Sequence, residues 1–168
     1  METFSAYLLT GSNLNQPERQ LQLAYQHIEK RVGKVWKASN VYQSKAWGFE
    51  HPNDFLNQVV GVHTQLSPEL LLDTLLKIES EMGRQRKTTD GYEARVIDLD
   101  ILLIDDLILD TPRLQVPHPR MHQRQFTLLP LLEIAPQLTL PGMNQSVAEL
   151  SSALSDSSVI RYSAPYVS

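Results

Sequence analysis

Asp98 and Asp100 occupy alternate positions in Val96-Ile97-Asp98-Leu99-Asp100-Ile101. Side chains on a strand alternate between faces, so Ile97, Leu99 and Ile101 share one face and the two aspartates share the other. Two residues along a strand span about 6.6 Å, which sets the carboxylates side by side. Such a pair repels itself, and one member is pushed toward protonation unless a cation sits between them. Mg2+ suits that place, since it is held by one or two carboxylates with substrate phosphates completing its oxygen shell. An isolated Asp-x-Asp is more often a solvated strand face. The very apolar flanks, continuing to Ile104, place this pair near a sheet centre and favour the metal reading.

Arginine is concentrated around the pair. Of nine arginines, six fall between residues 84 and 124: Arg84, Arg86, Arg95, Arg113, Arg120 and Arg124, with His118 and His122 among them. The planar guanidinium donates two parallel hydrogen bonds to phosphate and keeps its charge. Any one of these arginines is most simply surface charge. Their crowding on both sides of the Asp pair points to phosphoryl transfer, which consists largely of positioning and charge neutralisation. Gly11-Ser12-Asn13 is neither a Walker loop nor G-x-G-x-x-G, and a tight turn explains it. Trp47, Phe49, Phe55 and Phe126 lie near loops or element ends, each by itself more simply core than ligand platform. Asn57 and Glu79 are polar residues beside apolar patterns. His27, His51 and His63 show no metal-ligand spacing.

The elements that must position these residues alternate. Residues 4–9 read as a strand and 11–13 as a turn. Pro17 opens a helix whose apolar face is Leu21, Ala24, Ile28 and Val32, with Gly33 ending it. Residues 35–43 read as a strand, 44–53 as a loop and 55–65 as a strand. Ser67-Pro68 starts a second helix with the stripe Leu71, Leu75, Ile78 and Met82, stopped by Gly83. Residues 84–94 form a polar loop and 95–104 the clearest strand. A turn at Asp105-Asp106 returns 107–109 as its hairpin partner. Residues 126–134 are helical, with Pro130 marking a break or a fresh start. Ser146-Val147-Ala148-Glu149 is a capping box for a last short helix. The order β-α-β-β-α-β is that of an α+β ferredoxin-like sandwich, a mostly antiparallel sheet with helices over one face.

The chain has 168 residues, enough for one domain over 1–168 with a real core. Its 15 basic and 19 acidic residues leave a net charge of −4, which argues against a surface built to grip nucleic acid or anionic membrane. That total is compatible with a small, locally basic pocket for phosphate. With no cysteine, disulfides, thiolate zinc sites and cysteine nucleophiles are excluded. No apolar run approaches the roughly 20 residues of a membrane span. A cytoplasmic protein is expected.

Several segments, in order and spacing, resemble the 6-hydroxymethyl-7,8-dihydropterin pyrophosphokinase family. They are Leu8-Leu9-Thr10-Gly11-Ser12-Asn13-Leu14, Asp54-Phe55-Leu56-Asn57, Ile78-Glu79 with Gly83-Arg84-Gln85-Arg86, Arg95-Val96-Ile97-Asp98-Leu99-Asp100-Ile101, and Pro117-His118-Pro119-Arg120-Met121 with Arg124, Phe126 and Pro130-Leu131. The resemblance covers about residues 5–142. It implies Mg2+-dependent transfer of pyrophosphate from ATP to the hydroxymethyl of a reduced pterin, with release of AMP, in folate biosynthesis. It further implies two Mg2+ on Asp98 and Asp100, with Arg84 and Arg95 as catalytic cations. Glu79, Arg84, Arg86, Ile101, Arg113, His118 and Arg124 would serve the nucleotide. Asn57 would bond the pterin edge, Phe55 and Phe126 would sandwich its ring, and the loop 44–49 would close over it through Ser44 and Trp47. The expected partners are the two small substrates, bound by a monomer.

The chain departs from the family pattern in two places. Asp90-Gly91-Tyr92-Glu93-Ala94-Arg95 stands where Arg-Trp-Gly-Pro-Arg is common, and Ser44-Lys45 where Thr-Pro is common. The tail from about residue 143 lies beyond the resemblance. Two other readings compete. A nucleotidyltransferase with Gly-Ser followed by Asp-x-Asp keeps these signals about a dozen residues apart, unlike Ser12 and Asp98. A non-catalytic ferredoxin-like binding module would need neither the Asp pair nor the arginines.

Overall fold

Two long apolar strands form the centre: β1 (Phe4–Ser12) and β4 (Phe55–Thr64). They pair antiparallel along the whole of β1, from Phe4 opposite Thr64 to Ser12 opposite Leu56. This is a computed structural model, and it describes residues 2–45, 54–83 and 96–162. The remaining elements, in chain order, are α1 (Pro17–Arg31), β2 (Gly33–Ala38), β3 (Tyr42–Ser44), α2 (Pro68–Glu81), β5 (Asp98–Ile104), β6 (Leu109–Asp110), β7 (Gln115–Val116), α3 (Gln125–Ile134), α4 (Val147–Ala153) and β8 (Ile160–Arg161). The main sheet has the order β5-β1-β4-β3-β8, with β2 also on β4, and β6 pairs β7 apart from it, so the Asp pair lies on an edge strand among those described and not near the sheet centre as expected. Every pairing among the described strands is antiparallel.

Helices cover both faces of this sheet, not one as expected. Leu21, Ala24 and Ile28 of α1 and Leu71, Leu75 and Ile78 of α2 pack on Ala6, Leu8, Val60, Val62, Leu99 and Ile101. On the opposite face Leu128, Leu131 and Ile134 of α3 and Val147 and Leu150 of α4 pack on Leu9, Val59 and Leu103. The reason lies in the central strands, whose residues of both parities are apolar and are buried from both sides.

Helix ends follow local chemistry. Pro17 and Pro68 sit in first turns, and Ser67 Oγ accepts from Leu70 N at 3.4 Å. Gly83 follows α2 at φ 98°, the left-handed conformation that favours glycine. Ser146 and Glu149 make both bonds of the capping box. Three expectations change. Helix α1 stops at Arg31 with Val32 as its cap, and Gly33 begins β2. Helix α3 runs unbroken through Pro130. The expected strand over 35–43 is two strands that share one edge of β4. Between them Ser39 bonds β4 through its side chain, its Oγ accepting from Val59 N at 3.0 Å.

The hairpin expected after β5 is also corrected. Asp105, at φ 46°, turns the chain, but its N–H donates to Ser5 O of β1 and its Oδ1 accepts from Ser5 N. Leu109 then pairs with Val116, so β6 joins β7 and not β5.

Candidate active site

Strand register gathers the polar residues. Asp98 on β5 lies opposite Gly11 on β1, Gly11 opposite Asn57 on β4, and Asn57 opposite Tyr42 on β3. Directly paired residues share a face. The parity that turns Leu99, Ile101, Leu56 and Val60 toward α1 and α2 therefore turns Asp98, Asp100, Phe55, Asn57, Tyr42 and Ser44 toward the α3 side. Two strand spacings separate the backbones of Asp98 and Asn57, about 10 Å.

Gly11 stands between them, inside β1 and not in the expected turn. An added Cβ would sit 2.8 Å from Asn57 Oδ1. Asn57 itself is buried and donates from Nδ2 to Ser44 Oγ at 3.0 Å. Glycine is required here by close approach. The turn comes later, where Asn15 and Gln16 take φ of 54° and 60°. Residues distant in sequence thus adjoin in space, since Gly11 and Asp98 are cross-strand neighbours.

Beside β5 lies a cavity of about 370 Å³, within the usual size of ligand sites. Its wall includes Asp100, Ile101, Arg113 and His118, four residues singled out from the sequence, together with Leu72, Thr111 and Gln115, which were not. Their place beside Arg113, in a stretch with prolines at 112, 117 and 119, was the one available signal for the last two. Arg113 reaches from the loop between β6 and β7 and donates to Glu69 Oε2 of α2 at 2.7 Å, with Asp73 as a second acidic partner.

His118 is tied to β5, its N–H donating to Leu102 O at 2.9 Å. Its Nδ1 accepts from Arg120 N at 3.2 Å, which leaves the ring proton on Nε2. Burial pushes its pKa down to about 4, helped by the positive charges of Arg124 and Arg120 and opposed by Asp98. The imidazole is neutral at pH 7 and a donor from Nε2.

Arg124 caps the start of α3, and its guanidinium lies 5.5 Å from the centre of the Phe126 ring, within range of a cation–π contact. Glu79 is 3% exposed, and its Oε2 accepts from Leu99 N at 2.7 Å, so its carboxylate holds the outer edge of β5 beside the cavity. Trp47, Arg84, Arg86 and Arg95 lie outside the described residues. Among the described residues no group of three or more His, Cys, Asp or Glu is placed to hold a metal. The Asp98 and Asp100 pair fits a hard cation that takes its remaining oxygens from phosphate and water.

Paired carboxylates beside a cavity with an arginine and a neutral imidazole donor are the groups that a site of the phosphate-handling class needs. The model of the 7,8-dihydro-6-hydroxymethylpterin-pyrophosphokinase (HPPK) family matches residues 7–136. A 2-amino-4-hydroxy-6-hydroxymethyldihydropteridine pyrophosphokinase of Haemophilus influenzae is 40% identical over 158 residues, covering 94% of this chain and 97% of its own length. One of Porphyromonas gingivalis is 41% identical over 134 residues, 79% of this chain and 91% of its own. Among solved structures, an HPPK-DHPS in complex with substrates superposes with a TM-score of 0.74 at 14% identity, over 91% of this chain and 43% of that one. The Plasmodium falciparum HPPK-DHPS wild type with pteroate gives 0.72 at 16%, over 90% and 42%. The chain spans less than half of these longer proteins, and at such identity they show the fold alone. The chain belongs to the 7,8-dihydro-6-hydroxymethylpterin-pyrophosphokinase family. It is an enzyme, a pyrophosphokinase.

Proposed function

We propose that the chain moves the β,γ-pyrophosphoryl group of ATP to the hydroxymethyl of 6-hydroxymethyl-7,8-dihydropterin, a step of folate biosynthesis, and releases AMP. The hydroxymethyl oxygen attacks the β-phosphorus and forms a new P–O bond. The bond from that phosphorus to the oxygen bridging to the α-phosphate breaks, AMP leaves with that oxygen, and the hydroxyl proton passes to solvent. The supporting observation is adjacency on one sheet. The cavity carrying Asp100, Ile101, Arg113 and His118 abuts the strand whose Asp98 begins the row Asp98, Gly11, Asn57.

In this reading the nucleotide takes the cavity, its base against Ile101 and Leu72 and its phosphates toward His118, Arg113 and Arg124. His118 donates from Nε2 without a charge that varies near neutral pH. Asp98 and Asp100 hold Mg2+, which when bound neutralises charge on the transferred group. The pterin lies over Gly11, its edge read by Asn57 and its ring between Phe55 and Phe126, a geometry suited to offset stacking. Glu79 acts on the nucleotide side by holding β5. Arg84 and Arg95 complete the cationic ring, with Arg86 supporting, and Ser44 and Trp47 belong to the loop at the pterin end. The fold reading that accompanies this is ferredoxin-like. Taking β2 and β3 together as the second strand, the order β5-β1-β4-β3 is the 4-1-3-2 of that sandwich. The enzyme acts as a cytoplasmic monomer on two small molecules.

The test is AMP release with ATP, Mg2+ and the reduced pterin. AMP formed only when all three are present is the expected result. AMP no higher than in the pterin-free control overturns the proposal.

A further inference from the structure

The tail beyond residue 143 has no part in the proposed reaction, yet its residues 160–162 lie on the sheet next to the pterin row. Strand β8 pairs with β3, Arg161 opposite Tyr42 and Ile160 opposite Gln43, and Tyr162 N donates to Val41 O at 2.8 Å. Without β8, the three-residue strand β3 would be the sheet edge. From α3, Glu133 reaches the same strand. Its Oε2 accepts from Asn40 N and from Asn40 Nδ2, both at 2.9 Å, and its Oε1 accepts from Tyr42 OH at 2.7 Å. Arg161 Nη2 of β8 lies 3.7 Å from the same Oε1. One carboxylate therefore joins α3, β3 and β8.

What β3 carries explains why its position matters. Ser44 Oγ, at its end, accepts from the Asn57 amide. Gln43 Nε2 donates to Asp54 Oδ2 at 2.9 Å, tying together the two ends of the segment 44–54. Phe126 lies seven residues before Glu133 on α3, on the same helix face and about 10 Å along the axis. Bolting Glu133 to β3 thus sets the spacing between the Phe126 ring and the Ser44–Asn57 pair. The nucleotide cavity, beyond β1 at the other edge, shares none of these bonds.

We propose that Glu133, bridged to Tyr42 and to Arg161 of the C-terminal strand, is a positioning residue for the pterin half-site, its bonds reaching none of the residues that line the nucleotide cavity. The inference rests on the assignment of the pterin to Ser44, Asn57 and Phe126. It gives the tail a function: β8 is the brace that keeps β3 in register.

The experiment is steady-state kinetics with each substrate varied, on wild type, Glu133→Ala, Glu133→Gln, Tyr42→Phe and Arg161→Ala, with thermal melts on each. Glu133→Ala is expected to raise the pterin KM by about tenfold or more, with the ATP KM within about twofold of wild type. Glu133→Gln keeps an acceptor oxygen for Asn40 and offers its Nε2–H to the Tyr42 hydroxyl oxygen, and should recover to within about threefold, while Arg161→Ala and Tyr42→Phe shift the pterin KM alone. Equal rises in both KM values, a fall in kcat alone, or an unmoved pterin KM overturns the proposal. If Glu133→Ala does not fold, Tyr42→Phe and Arg161→Ala decide by the same criterion. A wild type that forms no pterin-dependent AMP removes the functional reading as well, whereas an active wild type with an unmoved pterin KM removes this inference alone.

Discussion

Asp100 lines the cavity while Asp98 is paired across the strands with Gly11, so in the proposed reading the two carboxylates serve neighbouring parts of one site. If Asp100 holds the metal as proposed, replacing it by alanine removes a ligand that only the metal-loaded reaction needs. Turnover should fall by at least about 100-fold, since several kcal/mol of charge stabilisation is lost, with the melting temperature little changed. Activity within a few-fold of wild type in a steady-state assay rules the metal role out. Gly11 gives a second prediction. The Cβ of Gly11→Ala would press on an Asn57 that Ser44 already holds, so the amide must turn away. The pterin KM should rise by about tenfold while kcat changes less. For His118 the sign of the shift sets the pH window. Its folded pKa lies near 4, below the ordinary 6.5, so its contribution to stability is whole above pH 6.5. That contribution is lost as pH falls from 6.5 toward 4, where the unfolded chain takes up the proton and the folded one does not. An NMR titration of the ring should show a midpoint near 4, and a midpoint near 6.5 refutes the buried, cation-flanked environment. At this scale the alternation of Asp98 and Asp100 was legible, because strand parity is a property of sequence. The need for glycine at 11 was not, because the clash is with a residue 46 positions away.

Elements with their own chemistry were legible in outline. Ser67-Pro68, Gly83 and the Ser146–Glu149 box act within a few residues, and the helices they bound appear where the sequence sets them. The two- and three-residue strands β3, β6, β7 and β8 have too few residues to show a period, and tertiary partners define them. Glu133 illustrates this, as nothing in its local pattern marks it as the fastening of β3. Its pH behaviour is testable. Burial pushes the Glu133 carboxyl up, but bonds from Tyr42 and Asn40 and the charge of Arg161 outweigh this and hold its pKa below the ordinary 4.5. Burial, and then the bond to Glu133, pushes Tyr42 up to about 12 from 10. Glu133 therefore adds stability that is present above pH 4.5 and lost as pH falls through its folded value. Tyr42 adds stability that is present below pH 10 and lost as pH rises through about 12. Glu133→Gln should cost on the order of 1 kcal/mol at pH 7 and flatten the acid limb of a urea-midpoint-against-pH curve. An unchanged acid limb means the carboxylate is not held as described.

At the scale of the molecule, both faces of the sheet are covered, a feature that period-2 reasoning about a one-sided sheet misses. The signal was present in Ala6-Tyr7-Leu8-Leu9 and Val59-Val60, where neighbouring residues are apolar on both parities and both faces must be dry. Two cores on one sheet have a consequence for cooperativity. Ile78 of α2 is buried in one and Ile134 of α3 in the other, with the whole sheet between them. Sheet and helix layers stack about 10 Å apart, so the two side chains share no neighbour. Each isoleucine-to-valine change removes one methyl from a closed site and should cost about 1 kcal/mol. If the sheet makes the cores a single folding unit, Ile78→Val with Ile134→Val should cost the sum to within about 0.5 kcal/mol, in one guanidinium transition of unchanged slope. Two transitions, or a change of slope in either single variant, would show that one helical layer leaves the sheet before the other. The distinction bears on catalysis, because α3 carries Arg124 and Phe126 while β5, braced by Glu79 of α2, carries the aspartates. In the proposed reaction these groups meet on one face, since Asp98 and Asp100 point toward the α3 side, but the strand that carries the aspartates is braced from the other face by α2, so the loss of either helical layer would part them.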